Sequence, residues 1–301
     1  RAIDTGIPRA DDRFLVSYKN QIYDISDFIR YHPGGRKVLQ RLRNGNLDRA
    51  FDENPHSKTA FYLMEDFTVE ERGKAEDKNR NYIKSTELFV GSLADRYWEW
   101  VNLPVNRNVR LFQSDFLERL TVTPWYLIPI VWIPLCAYFL YAGCISSLVS
   151  YIFGVLIWTI LEYVLHRKLF HFKPPESSKI LITLHFLIHG VHHKAPFDDR
   201  RLLFPPILGI IVAKGLWHFF FSHRRNSNHI SVTGYFCYDM MHYYLHYGAP
   251  RFGSYLYGMK RSHNYHHFLH HDRGFGISSK LWDRAFGTDV HLRRLIKPIQ
   301  W

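Results

Sequence analysis

Cysteine is scarce in this chain of 301 residues: Cys136, Cys144 and Cys237 are all there are, each in or beside an apolar stretch. No spacing among them makes a disulfide framework or a zinc ribbon, which fits working parts that face a reducing compartment. Acidic charge is short as well, 27 Asp and Glu against 39 Lys and Arg, for a net charge of +12. That balance raises nucleic acid as a partner. The basic residues gather into no single stripe, however, and no nucleic-acid motif occurs, so this class is excluded. Basic loops flanking apolar segments beside anionic lipid account for the charge. Between residues 70 and 80 apolar residues nearly vanish (E-E-R-G-K-A-E-D-K-N-R), the composition of a solvated linker.

Histidine is what abounds, with 19 residues. Ten of them form four boxes in the C-terminal half: His166-x4-His171, His189-x2-His192-His193, His242-x3-His246 and His263-x2-His266-His267. Imidazole is the commonest nitrogen ligand of first-row metals. Ten ligands are too many for one ion and suit two. On a helix, residues four apart share a face and chelate one ion, as His189 and His193, His242 and His246, and His263 and His267 are placed to do. His192 and His266 turn about 100° from their neighbours and point toward a second ion. His166 and His171, five apart, diverge and are expected to give one ligand to each metal. Which histidine serves which ion stays open. A lone histidine on a helix is usually a satisfied core residue; ten at repeated chelating spacing are not.

Apolar runs lie beside these boxes at 124–140, 145–165, 202–221 and 230–247, near the roughly 20 residues a bilayer core requires. Four crossings would put both termini and both long histidine loops on one side. The basic residues of 166–201, including Arg167, Lys168, Lys194 and Arg201, mark that side as cytosolic, although Arg224 and Arg225 oppose the rule. Glu162, Asp239, His242 and His246 are the ionisable groups inside these runs that suggest function. Glu162 and Asp239 are candidates to accept the second N–H of His166 and His242. His185, one turn before His189, is a candidate outer group. His270 and His271 fit no box and are read as surface residues. Leu111, Phe112, Phe116, Leu117 and Leu120 recur at helical spacing, against a membrane surface or the catalytic body.

Upstream, residues 14–18 and 21–25 read as strands around a Lys19-Asn20 turn, with Ser26 or Asp27 capping a short helix that Pro33-Gly34-Gly35 stops. Tyr31-His32-Pro33-Gly34-Gly35 and the later Pro55-His56-Ser57 closely resemble the cytochrome b5 fold. The resemblance implies heme b clamped between His32 and His56, with Phe28, Val38, Leu39, Leu42, Phe51, Phe61 and Leu63 as apolar walls. Two axial imidazoles leave no open iron position, so such a heme passes electrons.

The boxes, the Tyr238-Asp239-x2-His242-x3-His246 run and the closing Gly274-Phe275-Gly276-Ile277, Trp282-Asp283 and Phe286-Gly287-Thr288 are similar to the fatty acid hydroxylase/sterol desaturase superfamily. With a fused b5 module the chain resembles the fatty acid 2-hydroxylases of sphingolipid synthesis. The fold so implied is a small α+β heme domain at 9–70, a linker at 71–110 and an all-α transmembrane domain at 111–301. That domain would have about four crossings and a cytosolic histidine cap, in the endoplasmic reticulum membrane. The resemblance implies two non-heme irons (zinc suits the same nitrogens), O2, an NADH-cytochrome b5 reductase or similar donor, and a long-chain fatty acid or ceramide hydroxylated at C2 to the R product. Tyr238 and Asp239, beside the ligands, would position the substrate carbonyl or amide. A b5-fused acyl desaturase is the nearest alternative, but lacks the extra His-x3-His pair. Sterol desaturases and methyl oxidases lack the heme module. A heme carrier tethered to a histidine-rich metal store is the non-enzymatic alternative.

Overall fold

A computed structural model describes residues 13–69, 90–142, 147–206, 209–211, 214–215, 229–295 and 298–301. The N-terminal lobe opens with strands β1 (Leu15–Tyr18) and β2 (Gln21–Asp24), antiparallel with Leu15 opposite Asp24 and Tyr18 opposite Gln21. Lys19 and Asn20 join them with φ of 45° and 63°. Two positive φ angles give the mirror-type turn whose twist matches paired strands. The expected capped helix at Ser26 does not form. Ser26 instead accepts the Phe14 N–H at 2.8 Å and donates to Asp24 Oδ1, so its hydroxyl is spent on the strand end and residues 26–31 run as successive turns. Helices α1 (Arg36–Gln40), α2 (Asp48–Glu53) and α3 (Lys58–Glu65) follow, the last capped by Ser57. Their apolar sides close a core of Phe14, Val16, Ile25, Leu39, Leu63 and Phe67. Phe28, Leu42 and Phe51 pack on it, and Val38 is 53% exposed.

The second lobe begins earlier than the expected boundary. Val90, Leu93, Tyr97 and Val101, at spacings of three and four, bury one face of a helical turn (Gly91–Arg96) and of α4 (Tyr97–Val101) against Ile182, Phe186 and Val191. Residues 90–110 therefore belong to the body and not to a linker; residues 70–80 lie outside the described residues. Next come α5 (Asp115–Leu120), α6 (Leu127–Ala142), α7 (Ser147–Val164), α8 (Lys179–His185), α9 (Val191–Lys194), α10 (His229–Tyr247), α11 (Tyr255–Phe268) and α12 (Leu281–Ala285). Helix α10 packs along α7 and α6, around Trp132, Ile128 and Tyr235.

Helices α6, α7 and α10, of 16, 18 and 19 residues, occupy three of the four expected apolar segments. The segment 202–221 lies in large part outside the described residues, as do Arg224 and Arg225. Among the described residues no helix is long and apolar enough to cross a membrane. Two basic residues read as loop charges prove internal. Lys194 is buried with its Nζ donating to Trp100 O and Leu103 O, and Arg201 is buried in an ion pair with Glu118.

Two stretches depart from α-helical register. Helix α7 runs on into a π turn at Leu165–Phe170, and α8 into another at Phe186–Gly190. Such turns carry i→i+5 bonds and recur at functional sites. Each contains one box histidine, His166 and His189.

Candidate metal centre and heme site

The ten box histidines converge as two groups of five. His166, His171, His189, His193 and His266 form one; His192, His242, His246, His263 and His267 form the other. Within each, one ring nitrogen per residue lies within 4.8 Å of all the rest. His192 and His266 cross to the group opposite their box-mates, as 100° of helical rotation dictates. His166 and His171 do not divide between the groups. On an α-helix five positions leave side chains about 140° apart, but here the His171 N–H donates to His166 O at 3.0 Å in a π turn. The wider turn brings both imidazoles back to one side.

Hydrogen bonding alone does not satisfy these rings. Three nitrogens crowd His263 Nε2: His246 Nε2 at 2.7 Å, and His242 and His267 Nε2 at 3.1 Å. A ring nitrogen offers either one proton or one lone pair, so it completes one such contact and not three. His189 Nε2 is likewise met by His193 Nε2 at 3.1 Å and His171 Nε2 at 3.3 Å. Two nitrogens bound to one metal at about 2.0–2.1 Å stand roughly 3–4 Å apart, so the observed spacings fit a shared cation. Buried nitrogens without hydrogen-bond partners point the same way, among them His166 Nε2, His266 Nε2 and both nitrogens of His192. Burial and the neighbouring rings hold His171, His189, His192, His193, His263, His266 and His267 well below the usual histidine range, and burial takes His166 to about 4. All are neutral near pH 7, the form that ligates.

The loop 273–278 aims two of them. His166 Nδ1–H donates to Phe275 O at 2.5 Å and His266 Nδ1–H to Arg273 O at 2.7 Å. A carbonyl only accepts, so each ring must carry its proton on Nδ1 and present a lone pair at Nε2. Contrary to expectation, Glu162 does not accept the His166 N–H, which goes to Phe275 O. It accepts the Ile277 and Ser278 N–H groups at 2.6 and 2.8 Å and also the Ser278 hydroxyl, and so acts through the loop. Asp283 holds the other limb, accepting from Phe275 N, Gly276 N and Thr288 Oγ1 at 2.8–3.0 Å. Gly276 has no room for a side chain, since a Cβ there would stand 1.9 Å from Ser279 O. Nothing in histidine spacing pointed to Asp283; only the closing Trp282-Asp283 motif marked it. Glu162→Ala, which leaves buried donors unpaired, is expected to cost about 3 kcal/mol, measured as a fall in the chemical-denaturation midpoint with loss of metal affinity.

Other candidates fall out as follows. The Tyr238 ring lies 5.8 Å from that of His242, with Trp158 and Tyr235 completing an aromatic wall beside the second group. Asp239 is buried, and its Oδ2 makes no hydrogen bond; no bond joins it to His242 among the described residues. His185 hydrogen-bonds the Tyr97 hydroxyl and lines a small pocket with Trp98, Phe170, His189 and His193. His271 is not simply on the surface, since its ring stands 5.8 Å from that of His193. His270 is exposed.

In the N-terminal lobe the His32 and His56 rings face each other, with centroids 6.2 Å apart and planes 24° from parallel. Two imidazoles on opposite sides of one iron, at about 2.0 Å each, put their centroids roughly 6 Å apart. His32 Nδ1–H donates to Gly35 O at 3.3 Å and His56 Nδ1–H to Asn54 O at 2.6 Å, which leaves both Nε2 lone pairs for a ligand. Burial pushes His32 down to about 4. A Cβ on Gly34 would stand 2.8 Å from His32 Cε1. Gly34→Ala is therefore expected to swing His32 out of line and to lower heme content of the purified protein about tenfold or more, read from its heme absorbance.

Comparison with known proteins follows this geometry. The family model described as fatty acid hydroxylase matches residues 151–288, and that of the cytochrome b5-like heme/steroid binding domain matches residues 8–94. The chain is 35% identical to the fatty acid 2-hydroxylase of Homo sapiens over 89% of each chain. It is 40% identical to the ceramide very long chain fatty acid hydroxylase of Schizosaccharomyces pombe, over 93% of this chain and 87% of that one. It is also 40% identical to a dihydroceramide fatty acyl 2-hydroxylase of Arabidopsis thaliana, over 66% of this chain and 88% of the relative. A solved structure described as full-length scs7p, with only the hydroxylase domain visible, superposes with a TM-score of 0.60 at 31% identity. The match covers 66% of this chain and 79% of that one.

Proposed function

The chain belongs to the fatty acid hydroxylase family, and on that premise we propose that it is a membrane-bound fatty acid 2-hydroxylase of sphingolipid synthesis that carries its own electron-transfer heme. It inserts one oxygen of O2 at C2 of a long acyl chain, free or in ceramide, and the second leaves as water with two electrons and two protons consumed. The observation that carries this reading is the pair of five-histidine groups on the same chain as a bis-histidine heme site.

Ions bound in the two groups, iron in this proposal, supply dioxygen activation and removal of the C2 hydrogen. The chain's own residues do the rest. Ten neutral imidazoles hold the ions, and the carbonyls of Arg273 and Phe275 keep two of the rings in the ligating tautomer. Tyr238 and Asp239, beside the second group, bind the acyl carbonyl or amide and set the C2 methylene toward the metals. Trp158, Tyr235 and Tyr238 line the way for the first methylenes and exclude water. Positioning of this kind separates C2 from chemically similar neighbours and is worth several kcal/mol.

Apolar residues face outward on α5, α6 and α7, Phe116 at 70% and Ile130 at 63% exposed among them. A bilayer of the endoplasmic reticulum crossed four times, with heme and histidines on the cytosolic side, covers that surface and delivers the substrate. An NADH-linked b5 reductase supplies the electrons.

The test is the purified chain in lipid with reductase, NADH, O2 and acyl substrate, read by mass spectrometry. A product heavier by one oxygen at C2 is expected. A new double bond or an oxidised sterol assigns the chain to another branch, and no product refutes enzyme function. Tyr238→Phe is expected to slow 2-hydroxylation about 100-fold with metal content unchanged.

A further inference from the structure

Resting on that reading, we infer that the heme lobe is held in electron-transfer contact with the second histidine group by Phe197, which makes this residue a positioning element for electron delivery. Phe197 comes from the hydroxylase lobe, four residues past His193, yet its half-buried ring packs against the heme lobe's core. It meets Phe28 at 5.7 Å and Tyr31 at 5.4 Å between ring centroids. Phe28 in turn touches the ring of His32 at 5.9 Å. On its other side Phe197 stacks at 5.9 Å and 17° on Phe268, whose neighbour His267 belongs to the second group, with rings 6.1 Å apart. A second branch runs from Tyr31 to Tyr247 at 5.7 Å and on to His246, of the same group, at 6.4 Å. Both branches end on the group of His192, His242, His246, His263 and His267.

Around this knob the lobes are tied at three further places. Ser57, next to His56, donates its hydroxyl to Phe268 O at 3.3 Å. Asp66 accepts the Asn106 N–H at 3.0 Å and pairs with Arg107 at 3.7 Å. The C-terminal segment places Gln300 O to accept the Arg36 N–H at 2.7 Å, directly beside the His32 turn. Electron tunnelling falls steeply with the gap between donor and acceptor, so unbroken ring contact favours this route over one through solvent. With heme held by His32 and His56 and a ferric ion held by the second group, each transfer would take one electron from ferrous heme and leave that ion ferrous. The NADH-linked reductase would return one electron to the heme each time, two per hydroxylation.

The experiment follows oxidation of pre-reduced heme by the metal groups in the loaded full-length enzyme, by stopped-flow absorbance, together with hydrogen exchange at Arg36. Phe197→Ala is expected to keep its heme spectrum and metal content, to slow heme oxidation at least about tenfold and to speed exchange of the Arg36 amide; Phe197→Tyr is expected to restore both. Asp66→Lys, at the rim of the contact, is expected to move both readouts in the same direction and carries the test alone should Phe197→Ala lose heme. Wild-type heme oxidation and Arg36 exchange in Asp66→Lys, or in a heme-loaded Phe197→Ala, overturn the docking. Failure of the loaded wild type to make 2-hydroxylated product with a chemical reductant would instead overturn the activity on which it rests.

Discussion

Replacing His193 with alanine is expected to abolish 2-hydroxylated product while leaving the heme spectrum intact. His193 Nε2 stands 3.1 Å from His189 Nε2 inside the first group, and its ring also packs at 4.5 Å on that of His267 from the second. Its removal takes one of five ligands from one ion and a wall from its neighbour. In the proposed mechanism the metals supply the bond-breaking step, so product formation should fall by about 10³-fold or more, the order of magnitude expected for loss of a metal site. Metal analysis of the same sample should show the first group depleted. The heme lobe has its own core and both of its ligands, so its absorbance is unaffected. Full product with depleted metal would place the chemistry elsewhere.

His32→Ala separates the two halves in the other direction. The ring faces His56 across the width of one axial pair, and no other histidine of the N-terminal lobe is placed to substitute. Heme content is expected to vanish, and with it NADH-driven hydroxylation, while both histidine groups keep their metals. A chemical reductant that reaches the metals directly should recover part of the product. NADH-driven turnover at the wild-type rate without heme would show that the fused module is dispensable.

That ten histidines make two sites, and that His192 and His266 part from their box-mates, was legible in the boxes because helix geometry is local; which histidine joins which site was not, since that depends on contacts between helices. The 100° step per residue separates His192 from His189 and His193, and His266 from His263 and His267, without knowledge of any contact. His166 and His171 were misread for the same reason. Spacing carries no sign of a π turn, and the extra residue in the turn reverses which face they share. Glu162 was singled out as an intramembrane charge, but its partners are 115 and 116 positions away in a loop whose conformation no periodicity reveals. The hairpin around Lys19 and Asn20 was readable from alternation and turn residues, whereas the turns after Ser26 depend on a hydroxyl that bonds across to Phe14. The early start of the second lobe was missed although Val90, Leu93, Tyr97 and Val101 carry helical spacing, because the charged stretch before them masked the change. Docking of the two lobes rests on Phe197, an aromatic residue in a loop with no motif of its own.

The most direct measurement counts metal against heme in the active, purified chain by elemental analysis and heme extraction. One heme and two further iron ions per chain, one for each five-histidine group, is the expected result. A single non-heme ion, or full activity with none, would contradict it.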